Sequence, residues 1–364
     1  MTTAVATSPL TLWQKIQIAP VIVVLPLAVA LGVFRENKRR SWLRAARTAA
    51  ARYILSVRVW TPWELKSALG LTTTQTYEAW VCRTDGAEVF TDELPEGAKL
   101  HWVGPRMVDR VILYFHGGGY MLPAREEHFD MLLTLRRDLK GAVGFALLNY
   151  ALVPENPFPK QVRQALAAVR HLLDAGTSPS KLILAGDSAG GNLALQIVTY
   201  LLHPHPSLPA PPAGPLCLGG LLLLSPWMEF RTDAPSYTRN AARDVLPLCT
   251  HRLFTDCVLP GVTPELRAHL EPAFAAASGL WRGMGSVVER VLVVAGEHEG
   301  PLDPTEETAR AIAREVQDTT LFVLPGGVHD DLISAFGAGF PLRLPAVHRV
   351  VDFSSLCSPH RYGL

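Results

Sequence analysis

An α/β domain built on a mostly parallel central sheet, with helices on both faces, is the fold class this sequence predicts. Three observations lead to it. From about residue 111 to residue 324, short continuous apolar runs alternate with helical stretches of 11 to 14 residues, the pattern of strands buried on both faces. Two of those runs end in glycine-rich turns, His116-Gly117-Gly118-Gly119-Tyr120 and Gly186-Asp187-Ser188-Ala189-Gly190. The last run is followed by a flexible loop, Pro325-Gly326-Gly327-Val328, that ends at His329.

The elements follow in chain order. Ser41 to Val57 is rich in alanine and arginine with helical periodicity, whereas residues 60 to 100 mix helix-like pieces with turn signals at Asp85-Gly86 and Pro95-Glu96-Gly97. The rhythm then sets in: strand Val111–Phe115, helix Glu126–Leu139, strand Phe145–Leu148, helix Gln161–Leu173, strand Leu182–Ala185, and helix Asn192–Leu202 stopped by Pro204. Strands Gly220–Leu224, Val291–Val294 and Leu321–Leu324 complete the set, with helix Thr305–Val316 between the last two. About 60 residues after Trp227 break the rhythm with Pro235, Pro247, Pro260, Pro264 and Pro272. A long insertion between core strands is the usual place for a lid. The expected organisation is therefore an anchor with a basic flank over 1–40, an N-terminal cap segment over 41–100, a main domain over 101–352 with a cap insertion at about 227–288, and a tail over 353–364.

Composition narrows the function classes. The 364 residues are 48% hydrophobic and 18% charged with a net charge of +1, so nucleic acid is not an expected partner. The five cysteines are scattered without a Cys-x-x-Cys pair, which indicates reduced thiols rather than a disulfide framework. No His-Glu-x-x-His stretch supports zinc, and no Gly-Lys-Ser/Thr or Gly-x-Gly-x-x-Gly turns either glycine loop into a phosphate site. The amino terminus differs in kind: from Ile16 to Phe34 the only polar residue is Gln17, and Arg35, Lys38, Arg39 and Arg40 follow. A run of this length can span a hydrocarbon core of roughly 30 Å as a helix. It has no Ala-x-Ala cleavage site before the basic cluster, so the expectation is a single-pass membrane anchor in the endoplasmic reticulum rather than a signal peptide. The flanking charge favours a cytosolic main domain.

Nucleophilic catalysis is what the turns are suited to. A serine between small residues on a strained strand-to-helix turn has its hydroxyl lifted above the sheet edge, and Gly186, Ala189, Gly190 and Gly191 meet the need for small neighbours. Ser188 is the candidate nucleophile. Gly118, Gly119 and Ala189 are the candidate N–H donors to an oxyanion, with His116, Gly117, Tyr120 and Asp187 supporting the two motifs. His329 is the candidate base, delivered by its glycine loop. The candidate orienting acid is Glu299, in Gly296-Glu297-His298-Glu299-Gly300-Pro301-Leu302-Asp303; Asp303 is the fallback and Glu297 a solvated loop residue. The order serine, acid, histidine is the one expected of such a sheet. Trp227, Phe230, Phe254 and Trp281 in the insertion suggest a hydrophobic pocket, or simple packing.

Over roughly residues 99 to 345 the chain resembles the hormone-sensitive-lipase branch of the α/β-hydrolases. The resemblance rests on the two glycine motifs, the latter extended to Gly191-Asn192-Leu193, and on Asn149-Tyr150-Ala151-Leu152-Val153-Pro154-Glu155. Ala151 and Val153 depart from the family's usual Arg and Ala there. A glutamate stands at Glu299 where the family usually has aspartate; fungal members similar to steryl-acetate hydrolases carry glutamate, and their anchored amino terminus also resembles this one. The resemblance implies an α/β-hydrolase fold and hydrolysis of small or acetylated lipophilic esters, such as a sterol acetate or an acylated secondary metabolite, without a cofactor. An amidase, formamidase-like or acyl-transferring enzyme is the alternative, since the same residues serve activated amides. A non-catalytic small-molecule receptor is the second.

Overall fold

In the computed structural model, residues 26–27, 29–30, 42–56, 61–212, 214, 216–337 and 345–355 are described. Eight strands form one sheet in the order β1-β2-β4-β3-β5-β6-β7-β8. Six are parallel: β3 (Val111–Phe115), β4 (Gly144–Asn149), β5 (Leu182–Asp187), β6 (Gly220–Leu224), β7 (Arg290–Gly296) and β8 (Asp318–Leu324). The predicted α/β class and each of the six predicted strands are present. Residues 60 to 100, irregular to sequence reading, contribute an antiparallel edge: β1 (Phe90–Glu93) pairs with β2 (Lys99–Trp102), and β2 pairs antiparallel with β4. Two four-residue strands are too short to show a period of two.

Alternation through the sheet makes two cores. Leu113, Leu184, Leu223 and Val293 point to one face, where they pack with Val162, Ala165 and Val169 of α5 (Lys160–Asp174), Leu193 and Ile197 of α6 (Ala189–Leu202), and Ile312 of α11 (Leu302–Glu315). Ile112, Ile183, Leu222 and Leu292 point to the other. There they meet Tyr77 and Trp80 of α3 (Thr73–Arg83), Phe129 and Leu132 of α4 (Glu126–Asp138), Ile333 of α12 (Asp331–Gly337) and Val350 of α13 (Pro345–Ser355). Because both faces are covered, the strand interiors are apolar without a break, which is why they read as runs rather than as alternation.

Helices α1 (Trp42–Ser56) and α2 (Pro62–Leu69) come before this core, and four lie between β6 and β7: α7 (Pro235–Arg239), α8 (Leu248–Val258), α9 (Pro264–Leu270) and α10 (Pro272–Ala277). Each of those four begins at or just after a proline that broke the sequence rhythm, in keeping with the preference of proline for the first helical turn. Helix α1 rests on the insertion: Thr250 Oγ1 donates to the Leu55 carbonyl at 2.7 Å, and the Arg52 guanidinium donates to the carbonyls of Asp244 and Ala241.

The expectation of a membrane-anchored, single-pass protein requires correction. Among the described residues no helix is long and apolar enough to cross a membrane. The run Ile16–Phe34 itself lies outside the described residues except at positions 26–27 and 29–30. The described helix after it, α1, has 15 residues and carries three arginines, short of the roughly 20 predominantly apolar residues that a span requires.

Leu184 is fully buried at the centre of the sheet. Leu184→Ala should lower the unfolding free energy by about 2–5 kcal/mol, the usual cost of such a core cavity, read from urea midpoints at constant slope.

Candidate active site

Ser188 stands between β5 and α6 with φ +49° and ψ −115°, a conformation costly for any residue with a side chain. Its neighbours permit this. A Cβ on Gly186 would lie 2.4 Å from the Gly190 carbonyl carbon, and one on Gly190 would lie 1.9 Å from the Phe115 carbonyl oxygen. Both approaches are open only to glycine. The turn is pinned by Ser188 N–H donating to the Leu224 carbonyl at 2.9 Å and by the Trp227 N–H donating to the Ser188 carbonyl at 2.9 Å. Helix α6 begins at Ala189, earlier than its apolar periodicity suggested, so the Ala189 amide is in its first turn, at the positive end of the helix dipole.

The loop after β3 is held beside this turn by Asp187. Its Oδ1 accepts from the Tyr114 hydroxyl at 2.7 Å and from the Gly117 N–H at 2.9 Å, and its Oδ2 accepts from His128 Nε2 at 3.2 Å. Burial alone would raise the Asp187 carboxyl, but His128 and the hydroxyl of Tyr114 outweigh it and hold the group down at about 2. Gly118 and Gly119 take φ of +106° and +61°, the left-handed region that favours glycine. The Phe254 ring of α8 lies where a Gly119 Cβ would be, 2.3 Å from that position. His116 is buried, stacked on Tyr150 with ring centroids 4.3 Å apart, and lowered to about 4 by burial and then by His128. The Tyr120 hydroxyl donates to Asn192 Oδ1 at 2.6 Å on α6.

His329 comes in from the loop after β8. Its Nε2 is 2.9 Å from Ser188 Oγ, and its Nδ1 donates to Glu299 Oε2 at 3.2 Å. Glu299 is fully buried, and its Oε1 accepts from the Ser225 hydroxyl at 2.6 Å and from the Gly296 N–H. Asp303 is not brought to the histidine. Helix α11 starts at Leu302, before the expected Thr305, and places Asp303 in its first turn. There it accepts from the Ser236 N–H at 2.8 Å and from Arg239 Nη2 at 2.6 Å. Glu297 also stays apart from His329, its Oε2 accepting from the Gly326 N–H at 2.6 Å.

Sequence reading missed two carboxylates at this site. Asp244, in the insertion, accepts from the His329 N–H at 2.9 Å and from the Gly300 N–H at 2.7 Å. Asp330, with φ +53°, has its Oδ2 3.7 Å from His329 Nε2. Burial disfavours the imidazolium of His329, yet Asp330, Glu299 and Asp244 together raise its pKa above the usual histidine range. His251 of α8, also missed, is buried with its ring 6.2 Å from that of His329, and burial lowers it to about 3. The pair His329-Asp330 was visible as a polar doublet, whereas Asp244 carries no motif at all.

A cavity of about 670 Å³ opens on Ser188 and His329, bounded by Gly117, Gly118 and Gly119, by Ala51, Ile54 and Leu55 of α1, and by Leu65, Leu71, Leu122, Val245, Leu246 and Phe254. Charged residues of α4 and its approach, Arg125, Glu126, Glu127 and Asp130, form another wall. Among the described residues, no group of three His, Cys, Asp or Glu side chains is arranged to hold a metal ion. The arrangement is therefore a hydroxyl, an imidazole and a carboxylate in series, the first two lining a largely apolar chamber, which suits proton transfer coupled to nucleophilic attack.

Known proteins of similar sequence and structure bear on the family. The family model described as alpha/beta hydrolase fold matches residues 112–332. An acetyl-hydrolase of Streptomyces hygroscopicus is 38% identical over 146 residues, 40% of this chain and 45% of that protein. An esterase of Acinetobacter venetianus is 25% identical over 246 residues, 68% of this chain and 75% of that protein. The chain thus spans less than half the length of the first of these relatives and three quarters of the second. A crystal structure of an esterase from the bacterial hormone-sensitive lipase family superposes with a TM-score of 0.67 at 26% identity, covering 87% of this chain and 98% of that one. With over half of its length matched by the family model and an esterase of the bacterial hormone-sensitive lipase family superposing on most of it, the chain belongs to the α/β-hydrolase fold family, in the hormone-sensitive-lipase branch.

Proposed function

We propose that this chain is a serine carboxylic-ester hydrolase acting on small or acetylated lipophilic esters. The observation that carries the reading is the continuous contact from Ser188 Oγ to His329 Nε2 at 2.9 Å and from His329 Nδ1 to Glu299 Oε2 at 3.2 Å. Ser188 Oγ attacks the ester carbonyl carbon while His329 Nε2 takes the hydroxyl proton. The carbonyl electrons move to oxygen, where the N–H groups of Gly118, Gly119 and Ala189 meet the developing charge. As the tetrahedral intermediate collapses, the imidazolium gives its proton to the departing alcohol oxygen. A water molecule then repeats the sequence on the acyl-serine and releases the acid. Glu299 keeps Nδ1 protonated, so that Nε2 presents its lone pair to the serine, and offsets the charge of the imidazolium.

Two features support lipophilic acetyl esters as the substrate class. The chamber's main wall is aliphatic and aromatic, and a relative covering 40% of this chain is an acetyl-hydrolase. Helix α1 and the insertion supply much of that wall, so in this reading they act as a cap, and the segments 41–100 and 227–288 shape the substrate chamber. A cavity of about 670 Å³ lies within the roughly 300–1,000 Å³ typical of small-molecule sites.

Two measurements test the assignment. A fluorophosphonate probe should modify Ser188, located by peptide mass spectrometry, and Ser188→Ala should lose both labelling and turnover of p-nitrophenyl acetate with its fold intact by circular dichroism. Labelling elsewhere, or undiminished turnover in the variant, would overturn the reading. Glu299→Gln should lower kcat by about 10⁴-fold if the carboxylate sets the imidazole tautomer, while Asp303→Asn stays within a few-fold of wild type. Equal effects of the two substitutions would remove Glu299 from the proposed role.

A further inference from the structure

The two loops that carry Glu299 and His329 come from different strands, β7 and β8, and already meet where the His298 N–H donates to the Gly327 carbonyl at 2.7 Å and the Gly326 N–H donates to Glu297 Oε2 at 2.6 Å. The insertion between β6 and β7 meets the acid loop at several points. Asn240 Nδ2 donates to the Glu299 carbonyl at 2.7 Å, Ser236 Oγ donates to the Gly300 carbonyl at 2.6 Å, and Asp244 Oδ2 accepts from the Gly300 N–H at 2.7 Å. Of these three residues, Asp244 is the one that also reaches the histidine loop, its Oδ1 accepting from the His329 N–H at 2.9 Å. We infer that Asp244 is a positioning residue that clamps the backbone of the acid loop to that of the histidine loop and adds negative charge beside the imidazole.

The inference rests on the reading of Ser188, His329 and Glu299 given above and concerns how two of them are kept aligned. Asp244 is fully enclosed, between α7 and α8. A buried carboxylate in that position is tolerable because it accepts N–H bonds at both oxygens. Burial raises its carboxyl to about 6, with repulsion from Glu299 adding to the rise and His329 and the two N–H donors opposing it. The other groups facing it are Arg52 of α1, which donates to the Asp244 carbonyl, and Tyr237 of α7. Around the imidazole stand Glu299, Asp330 and His251 besides Asp244 itself. A charge removed here therefore acts on the same imidazole that two other carboxylates already favour in its protonated form.

The geometry makes a two-part demand. Asparagine at this position offers one amide oxygen and one NH₂ group in place of two carboxylate oxygens, so either Gly300 or His329 faces a donor, and a loop must shift. A misplacement of about 1 Å costs about 10²-fold in rate. The lost charge also lowers the pKa of His329. Since the neutral imidazole is the active base, activity then persists to lower pH.

The test is the pH dependence of p-nitrophenyl acetate hydrolysis by the full chain, with Ser188→Ala as the control for the underlying reading. Asp244→Asn should lower kcat by about 10²-fold with KM within about threefold, and move the acid limb of kcat/KM to lower pH. Asp244→Glu, which keeps the charge but displaces it by a methylene, should lower kcat and leave the acid limb in place. If Asp244→Asn does not fold, the Glu variant decides alone through its kcat. Unchanged kcat in a folded variant, or a fall in Tm with no movement of the acid limb in Asp244→Asn, would overturn the inference. Activity remaining in Ser188→Ala would instead overturn the reading beneath it.

Discussion

The approach of Gly190 to the Phe115 carbonyl is the contact on which the site depends. A single added methyl would lie 1.9 Å from that oxygen, so the start of α6 and the end of β3 can meet only through a bare backbone. That meeting brings the glycine loop after β3 alongside the serine turn after β5, although about 70 residues separate them in sequence. Asp187 then ties the two together through the Gly117 N–H. The hydroxyl and the Gly118 and Gly119 amides share one end of the sheet because adjacent parallel strands deliver their loops to the same edge. Strand pairing does the gathering, and glycine makes the gathering close enough for chemistry.

Charge placement follows from that enclosure. An ionised carboxylate in a dry interior is costly unless several donors satisfy it, and Glu299 meets this condition with Ser225, Gly296 and His329. Asp187 meets it with Tyr114, Gly117 and His128. The first stands behind the imidazole and the second beside the glycine loop, so one buried anion holds the His329 ring and another holds the Gly117 N–H that begins that loop. Both also lock backbone turns whose φ values lie outside the common regions, at Ser225 and Ser188. The cost of the strained turns is offset by the bonds that the strain makes reachable.

The half of the site built on the sheet was legible in the sequence, and the half held by the insertion was not. Val111–Phe115, Leu182–Ala185 and Leu321–Leu324 could be read as strands because burial on both faces leaves no polar interruption, and the glycines mark where those strands must turn tightly. The loop after β7 was recognisable as the one that carries the acid, and of its three carboxylates Glu299 was the one best placed to point across to His329. Asp303 is set apart by the earlier start of α11, a boundary of the kind that periodicity places poorly, since Pro304 and the acidic residues around it suit either a loop or a first helical turn. The edge strands β1 and β2 escaped notice because four residues are too few to establish a period. The apolar run Ile16–Phe34, with its basic flank and no cleavage site, invited a membrane reading, while the described helix after it is short, carries arginines and packs through Arg52 and Leu55 on the insertion.

Asp244 shows why the second half resists reading. Nothing local distinguishes it: it sits between two short helices in a proline-broken segment, with no glycine motif and no apolar periodicity. Its importance lies in two backbone amides that arrive from β7 and β8, and no spacing in one chain records which amides a carboxylate will meet after folding. Strands impose their register on each other through a repeating ladder, so their loops converge wherever the sheet forms. A lone side chain spanning two loops belongs to no such repeat, and its partners are fixed only when the insertion settles over the sheet edge with α1 against it. The chemistry of the site is thus written in motifs, while its alignment is written in tertiary hydrogen bonds.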